Sequence, residues 1–284
     1  MTLFIVKIAV TILVVVVIAE ISKRVTPRLG GLLLGLPLGV GLAVYFIAYS
    51  EGVPFMVESI PWGLAGLAPA VVFCSFYLLG GRIFRVKNRI ASILLCSLTG
   101  IAAFGAAGYL LSLLDIGLVP ALLIFLAVYA ANIAILRRQA RRQPVKPAGG
   151  GANAIVTFLI RGLISGVILA AVTGAASFVG NQWAGVLSAF PSTTYTLLVV
   201  LHFEEGDALY PFIVYGFTYS VSTLALFYIL CWALLPALGL NLGFLVTYVI
   251  CLAYLYVVKL VSDRMQGRPA EAAGAPAEDA EEQI

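Results

Sequence analysis

Long apolar runs alternate with short polar breaks along almost the whole chain. They fall at roughly 3–22, 31–49, 60–80, 90–113, 117–136, 155–178, 183–202, 209–235 and 240–260. About 20 apolar residues are enough to cross a hydrocarbon core as a helix, so the pattern predicts about nine transmembrane helices. The period-two alternation of a strand or a membrane barrel is absent from it. The run at 209–235 is the longest, and Gly216 marks the place where it would tilt or break. After the fifth run comes "RRQARRQPVKPAGGGAN", a cationic linker rich in proline and glycine, and the chain closes on "GRPAEAAGAPAEDAEEQI". The closing segment has almost nothing to bury and is expected to be a disordered acidic tail. The expected organisation is a first membrane unit over 1–136, a basic linker over 137–152, a second unit over 153–262 and the tail over 263–284.

Composition agrees with the pattern. Of the 284 residues 62% are hydrophobic and only 11% charged, where soluble domains carry about a quarter charged residues. The fold class is therefore an all-α polytopic membrane protein, with the lipid bilayer as its first partner. The opening run contains Lys7 but no small-x-small site before Lys23-Arg24, so it reads as a retained helix and not a cleaved leader. Cys74, Cys96, Cys231 and Cys251 all sit inside apolar runs without a C-x-x-C pair and read as small buried hydrophobes. The single histidine, His202, makes no metal site alone and reads as interfacial, with a proton-coupling role as the alternative. Nothing resembles a phosphate loop, a catalytic triad or a nucleic-acid patch. No cofactor, metal, nucleic-acid partner or enzymatic activity is expected, and the oligomeric state is left open.

Charge placement orients the runs. Cations follow the first run (Lys23, Arg24, Arg28), the third (Arg82, Arg85, Lys87, Arg89), the fifth (Arg137, Arg138, Arg141, Arg142, Lys146) and the ninth (Lys259, Arg264, Arg268). The intervening connections hold none. Basic connections stay in the cytoplasm, which predicts an outside N-terminus and a cytoplasmic C-terminus. The connection after the seventh run, His202 to Asp207, breaks the alternation because it is acidic.

Two of the runs are copies by pattern. "LGGLLLGLPLGVGLAVYFIAYSEG", from Leu29, lies without gaps on "WAGVLSAFPSTTYTLLVVLHFEEG", from Trp183, at a constant offset of 154. Pro37 meets Pro191, Glu51 meets Glu205, Gly52 meets Gly206, and upstream Lys7 meets Arg161. Five crossings separate the two runs in the nine-helix count. An odd number predicts units of opposite orientation, the inverted-topology repeat of many secondary transporters.

Each unit resembles the GlpM family of small four-helix bacterial inner-membrane proteins. The resemblance rests on a cation early in the first helix, "AGVLSAFPST", an aliphatic stretch ending in "EEG", and two further helices. The second unit, Ile155 to Lys259, carries the whole pattern. The first keeps "GGLLLGLP" and "SEG" but has Leu38-Gly39-Val40 in place of the hydroxyls. The resemblance implies architecture and a bacterial inner-membrane location more than a substrate.

The candidate chemistry lies in polar groups inside these runs. Proline in a helix frees backbone acceptors, which lipid cannot satisfy. Ser192, Thr193 and Thr194 either patch such a kink at Pro191, or form with Tyr195 a binding surface where helices broken at Pro37 and Pro191 cross. The second alternative would present helix-start amides to a small polar or anionic solute. Lys7 with Glu51 and Arg161 with Glu205 read as anchoring pairs, with gating as the alternative. Asn132, Tyr215 and Tyr219 complete the set, as interhelical hydrogen-bonding residues or as the lining of a solute path. Together these features point to a permease, with a non-transporting accessory or assembly protein of an envelope pathway as the alternative.

Overall fold

The computed structural model describes residues 37–140, 154–206 and 210–265, and every regular element in them is a helix. The helices are α1 (Leu38–Glu51), α2 (Val53–Phe84), α3 (Arg89–Ser112), α4 (Leu118–Ala140), α5 (Ala154–Ser188), α6 (Ser192–Glu205) and α7 (Tyr210–Met265). The expected first helix with Lys7, most of the linker and the tail lie outside the described residues. For Arg161, Glu205, Tyr215 and Tyr219 only the backbone is described.

Among the described residues four helices are long and apolar enough to cross a membrane, and five if the bent pair at 178–203 is one span. Such helices fit a membrane-embedded protein. One of the four, Val221–Val258, doubles back on itself. At Gly239 the backbone leaves the helical region (φ 72°, ψ 179°). Beyond it Phe244 and Tyr248 return to Phe227, at ring separations of 5.8 and 5.7 Å. In a straight helix residues 17 apart would be separated by about 25 Å, so the halves of α7 form an antiparallel hairpin. The sequence pattern puts the division in the right place, between 235 and 240. The break expected at Gly216 is not there, and the helix runs on through it.

Helix α2 is the hub. It packs against α3, α4, α5 and α7, and one hydrophobic core draws side chains from both sides of the linker, including Ile60, Phe73, Tyr77, Leu198, Phe227 and Tyr228. The outer helices turn large apolar side chains outward: Leu94, Leu98 and Leu110 on α3, Val119 and Leu123 on α4, Leu245 and Val249 on α7. That is the reverse of a water-soluble surface and what hydrocarbon surroundings favour.

The bent pair runs alongside α2. Gly185 touches Ser59 and Gly63, Val186 and Ala189 pack on Gly66, Phe190 and Tyr195 meet Phe73, and His202 meets Tyr77. The bend therefore falls near the middle of α2. One end of α2 is joined to α1 through Gly52 alone. Just beyond its other end, Arg89 Nη1 donates to the carbonyl of Phe203 in α6 at 3.0 Å. A 32-residue helix is about 48 Å long, so α1 and α6 finish at opposite ends of the molecule.

Candidate functional site

Two prolines begin two short helices in the same way. Pro37 has φ −75° and ψ 54°, and Pro191 has φ −78° and ψ 60°. The amide four residues on, Gly41 in one case and Tyr195 in the other, donates to the proline carbonyl at 2.7 Å in both. Each helix has 14 residues, and each ends on a glycine whose amide donates to the carbonyl four residues back, Ala48 in α1 and His202 in α6. Every one of these pairs obeys the offset of 154. Proline explains the starts: it supplies no amide to a preceding turn and its φ suits the first turn of a new helix.

The starts of α1 and α6 meet head to head. A β-carbon placed on Gly39 would lie 2.5 Å from Ser192 Oγ and 3.2 Å from Thr193 Oγ1, so any larger residue there would make the serine hydroxyl swing aside. Neither helix start has a side-chain cap. The amides of Gly39, Val40, Thr193 and Thr194 belong to the first turns, where a helix offers no carbonyl to receive them. Two positive helix ends thus converge in the protein interior. From the contact α1 runs to one end of the molecule and α6 to the other.

How the bend satisfies its backbone decides between the two readings of the hydroxyl run. Ala189 and Phe190 amides donate three residues back, to Val186 (3.2 Å) and Leu187 (2.9 Å), and Ser192 N donates to the Phe190 carbonyl at 2.7 Å in a γ-turn centred on Pro191. Ser188 Oγ donates to the Gly185 carbonyl at 2.7 Å. Its one proton being used, it accepts from the Tyr228 hydroxyl, also at 2.7 Å. Across the contact, Tyr248 donates to the Pro37 carbonyl at 3.1 Å. Of the hydroxyls beyond Pro191 only Thr196 bonds back, to Ser192 O at 2.8 Å. The Ser192 and Thr193 hydroxyls take no part in these backbone bonds, and Ser192 is only 4% exposed. The kink is closed without them.

The other candidate residues separate from this point. Tyr195 turns into an aromatic cluster with Phe73, Tyr77 and Phe190. Thr194 is half-buried on the first turn of α6. Asn132 ties three helices together, accepting from Ser75 at 3.1 Å and donating to Thr218 at 2.9 Å. It is an interhelical link away from the contact. Glu51 is exposed at the end of α1, while its expected partner Lys7 and the pair Arg161/Glu205 are among the side chains not described. Sequence reasoning missed Tyr228 and Tyr248, whose role depends on the hairpin that returns α7 to the two bends. The ring of His202, read from the sequence as interfacial, is 2% exposed and enclosed by protein. In comparisons with protein-family models, curated proteins and solved structures, nothing matches this chain.

Proposed function

We propose that the chain is a membrane permease for a small anionic solute, held where the starts of α1 and α6 meet. The observation that carries this is the pair of uncapped helix starts converging on Gly39, with the Ser192 and Thr193 hydroxyls facing into the contact. Two positive ends in a low-dielectric interior favour a negative group between them and disfavour a cation. Hydroxyls and first-turn amides supply the hydrogen bonds that such a group needs. The arrangement belongs to a nine-helix molecule of two inverted GlpM-like units in the bacterial inner membrane, N-terminus outside. Supporting that are the matched prolines, caps and helix lengths, and the opposite courses of α1 and α6. Discontinuous helices whose N-terminal ends point at an anionic group at mid-membrane are a recurring transporter design. Transport then requires the two units to part at Gly39, admitting solute from one face at a time.

A second reading has its own observation. Gly39 and Ser192 are in close contact, as a permanently closed seam would require. A non-transporting accessory protein of an envelope pathway would keep this seam shut and take no solute. The two are told apart by thermal unfolding of the purified full-length protein with phosphate, sulfate, acetate or sodium ion varied separately. The permease reading expects one of the anions to raise the unfolding midpoint, and expects Ser192→Ala/Thr193→Ala to abolish that rise. No response to any anion, or an undiminished one in the double variant, would overturn it.

A further inference from the structure

Helix α6 carries a second polar centre at its far end, which the anion contact does not use. His202 lies with Nδ1 3.1 Å from the Tyr77 hydroxyl and Nε2 3.2 Å from Ser92 Oγ. The ring of Tyr210 is stacked on it, centroids 4.3 Å apart and planes at 21°. Of the titratable and charged groups, Tyr77 on α2 and Tyr210 on α7 face the ring; Cys96 on α3 and Tyr195 on α6 lie beside Tyr77, Arg89 on α3 reaches the Phe203 carbonyl, and Glu204 and Glu205 follow on α6. The side chains of the two glutamates are not described. Arg89 donates one N–H to the Phe203 carbonyl, next along α6 from the histidine.

We propose that His202 is the binding site for a proton whose uptake moves α6 and so controls access to the contact at Gly39. The neutral ring has one N–H and one bare nitrogen, and uptake of one proton from the aqueous phase gives two N–H groups and one positive charge. Both ring neighbours are hydroxyls, which donate or accept by rotating about the C–O bond. On protonation the hydroxyl that donated to the bare nitrogen must accept from it instead and turn its own proton to another acceptor, so the cluster rearranges. The stacked Tyr210 face adds attraction for the cationic form. Histidine is the side chain whose ordinary titration falls between about pH 5 and 8.

Transmission to the contact needs no relay. Ser192, Thr193 and His202 ride on one continuous helix, with about 15 Å from first to last. A charge that alters how the ring sits against α2, α3 and α7 shifts α6 as a body, and Ser192 moves against Gly39. The proposal takes its purpose from the permease reading, as the coupling proton of that transport, but its evidence is separate.

The test uses the fact that the chain has one histidine. Full-length protein labelled with nitrogen-15 histidine, in lipid nanodiscs, gives the ring signals of His202 alone. The expected result is passage from neutral ring to imidazolium as the pH is lowered, with a midpoint displaced in Tyr77→Phe and Ser92→Ala. A ring held in one neutral tautomer throughout overturns the proposal. Coupling is read without any solute, from the rate at which a small methanethiosulfonate modifies Thr193→Cys. That rate, divided by the rate in Thr193→Cys/His202→Gln at the same pH, should change by about five-fold or more across the titration, the lower range of coupling between linked sites. A constant quotient overturns the coupling. If His202 titrates and the quotient moves while no anion stabilises the protein, the permease reading falls and the proton site stands.

Discussion

The residues that shape this molecule most are the smallest. At Gly185 an added β-carbon would run into the Ser59 carbonyl and come within 2.9 Å of the Gly63 amide. Both obstacles are backbone, so neither can swing aside. Gly185→Ala should cost about 1–3 kcal/mol, the usual penalty for overpacking, read as a lower unfolding midpoint in denaturant-titrated bicelles. Unchanged stability would mean that α5 does not rest on α2 at this point. Gly185 was visible in the sequence only as one position in the second of two matching runs, because an alignment of apolar runs identifies equivalent positions without saying what they touch. Pro37 and Pro191 were legible as breaks for a simpler reason: ring closure acts on the backbone locally. The burial of His202 was not legible. A histidine before two glutamates reads as interfacial, and the sequence does not show that Tyr77 and Ser92, from distant helices, and Tyr210, at the start of the next one, close around the ring.

At the scale of elements, what matters is how the helices turn. Gly180 (φ 77°, ψ 174°) and Gly239 (φ 72°, ψ 179°) interrupt α5 and α7 in nearly the same conformation. This region of backbone space is essentially closed to residues with a β-carbon and costs of order 1–3 kcal/mol to occupy. Nothing lies within 4 Å of where either β-carbon would go, so the penalty is conformational and not steric crowding. Gly180→Ala and Gly239→Ala should each lower stability by about that amount. Gly105, equally open but inside α3, provides the contrast: Gly105→Ala should be neutral or stabilising by up to about 1 kcal/mol. Equal effects at all three positions in the same unfolding assay would refute the assignment of these turns. The apolar runs had already separated near both glycines, so the elements themselves were largely readable. Their angles were not, since hydropathy records that a span ends and says nothing about where the next one points.

On the scale of the whole molecule, the charge pattern and the coordinates can be set against each other. Basic connections were expected on one face, and the acidic one after α6 stood out as the exception. In the fold, Arg89 holds the end of α6 through the Phe203 carbonyl, so that end lies beside the start of α3, where the basic connection closes. The opposite face collects Gly52, the α3–α4 connection and the turn at Gly239. There Trp62 Nε1 donates to the Leu114 carbonyl at 3.2 Å, and the Tyr45 hydroxyl donates to Asn241 Oδ1 at 2.9 Å. This division underlies the antiparallel course of α1 and α6, and with it the convergence of two positive helix ends. Cysteines introduced singly at Lys87 and Phe203 should react with a membrane-impermeant maleimide from one side of the membrane, and those at Glu51, Asp115 and Asn241 from the other. The described native cysteines are buried and contribute little background. The positive-inside rule predicts a cytoplasmic Lys87 side, so intact cells should protect it and label the other three. If Phe203 labelled with Glu51 and not with Lys87, α1 and α6 would run the same way. Their starts would then no longer oppose each other, and the anion contact would lose its physical basis.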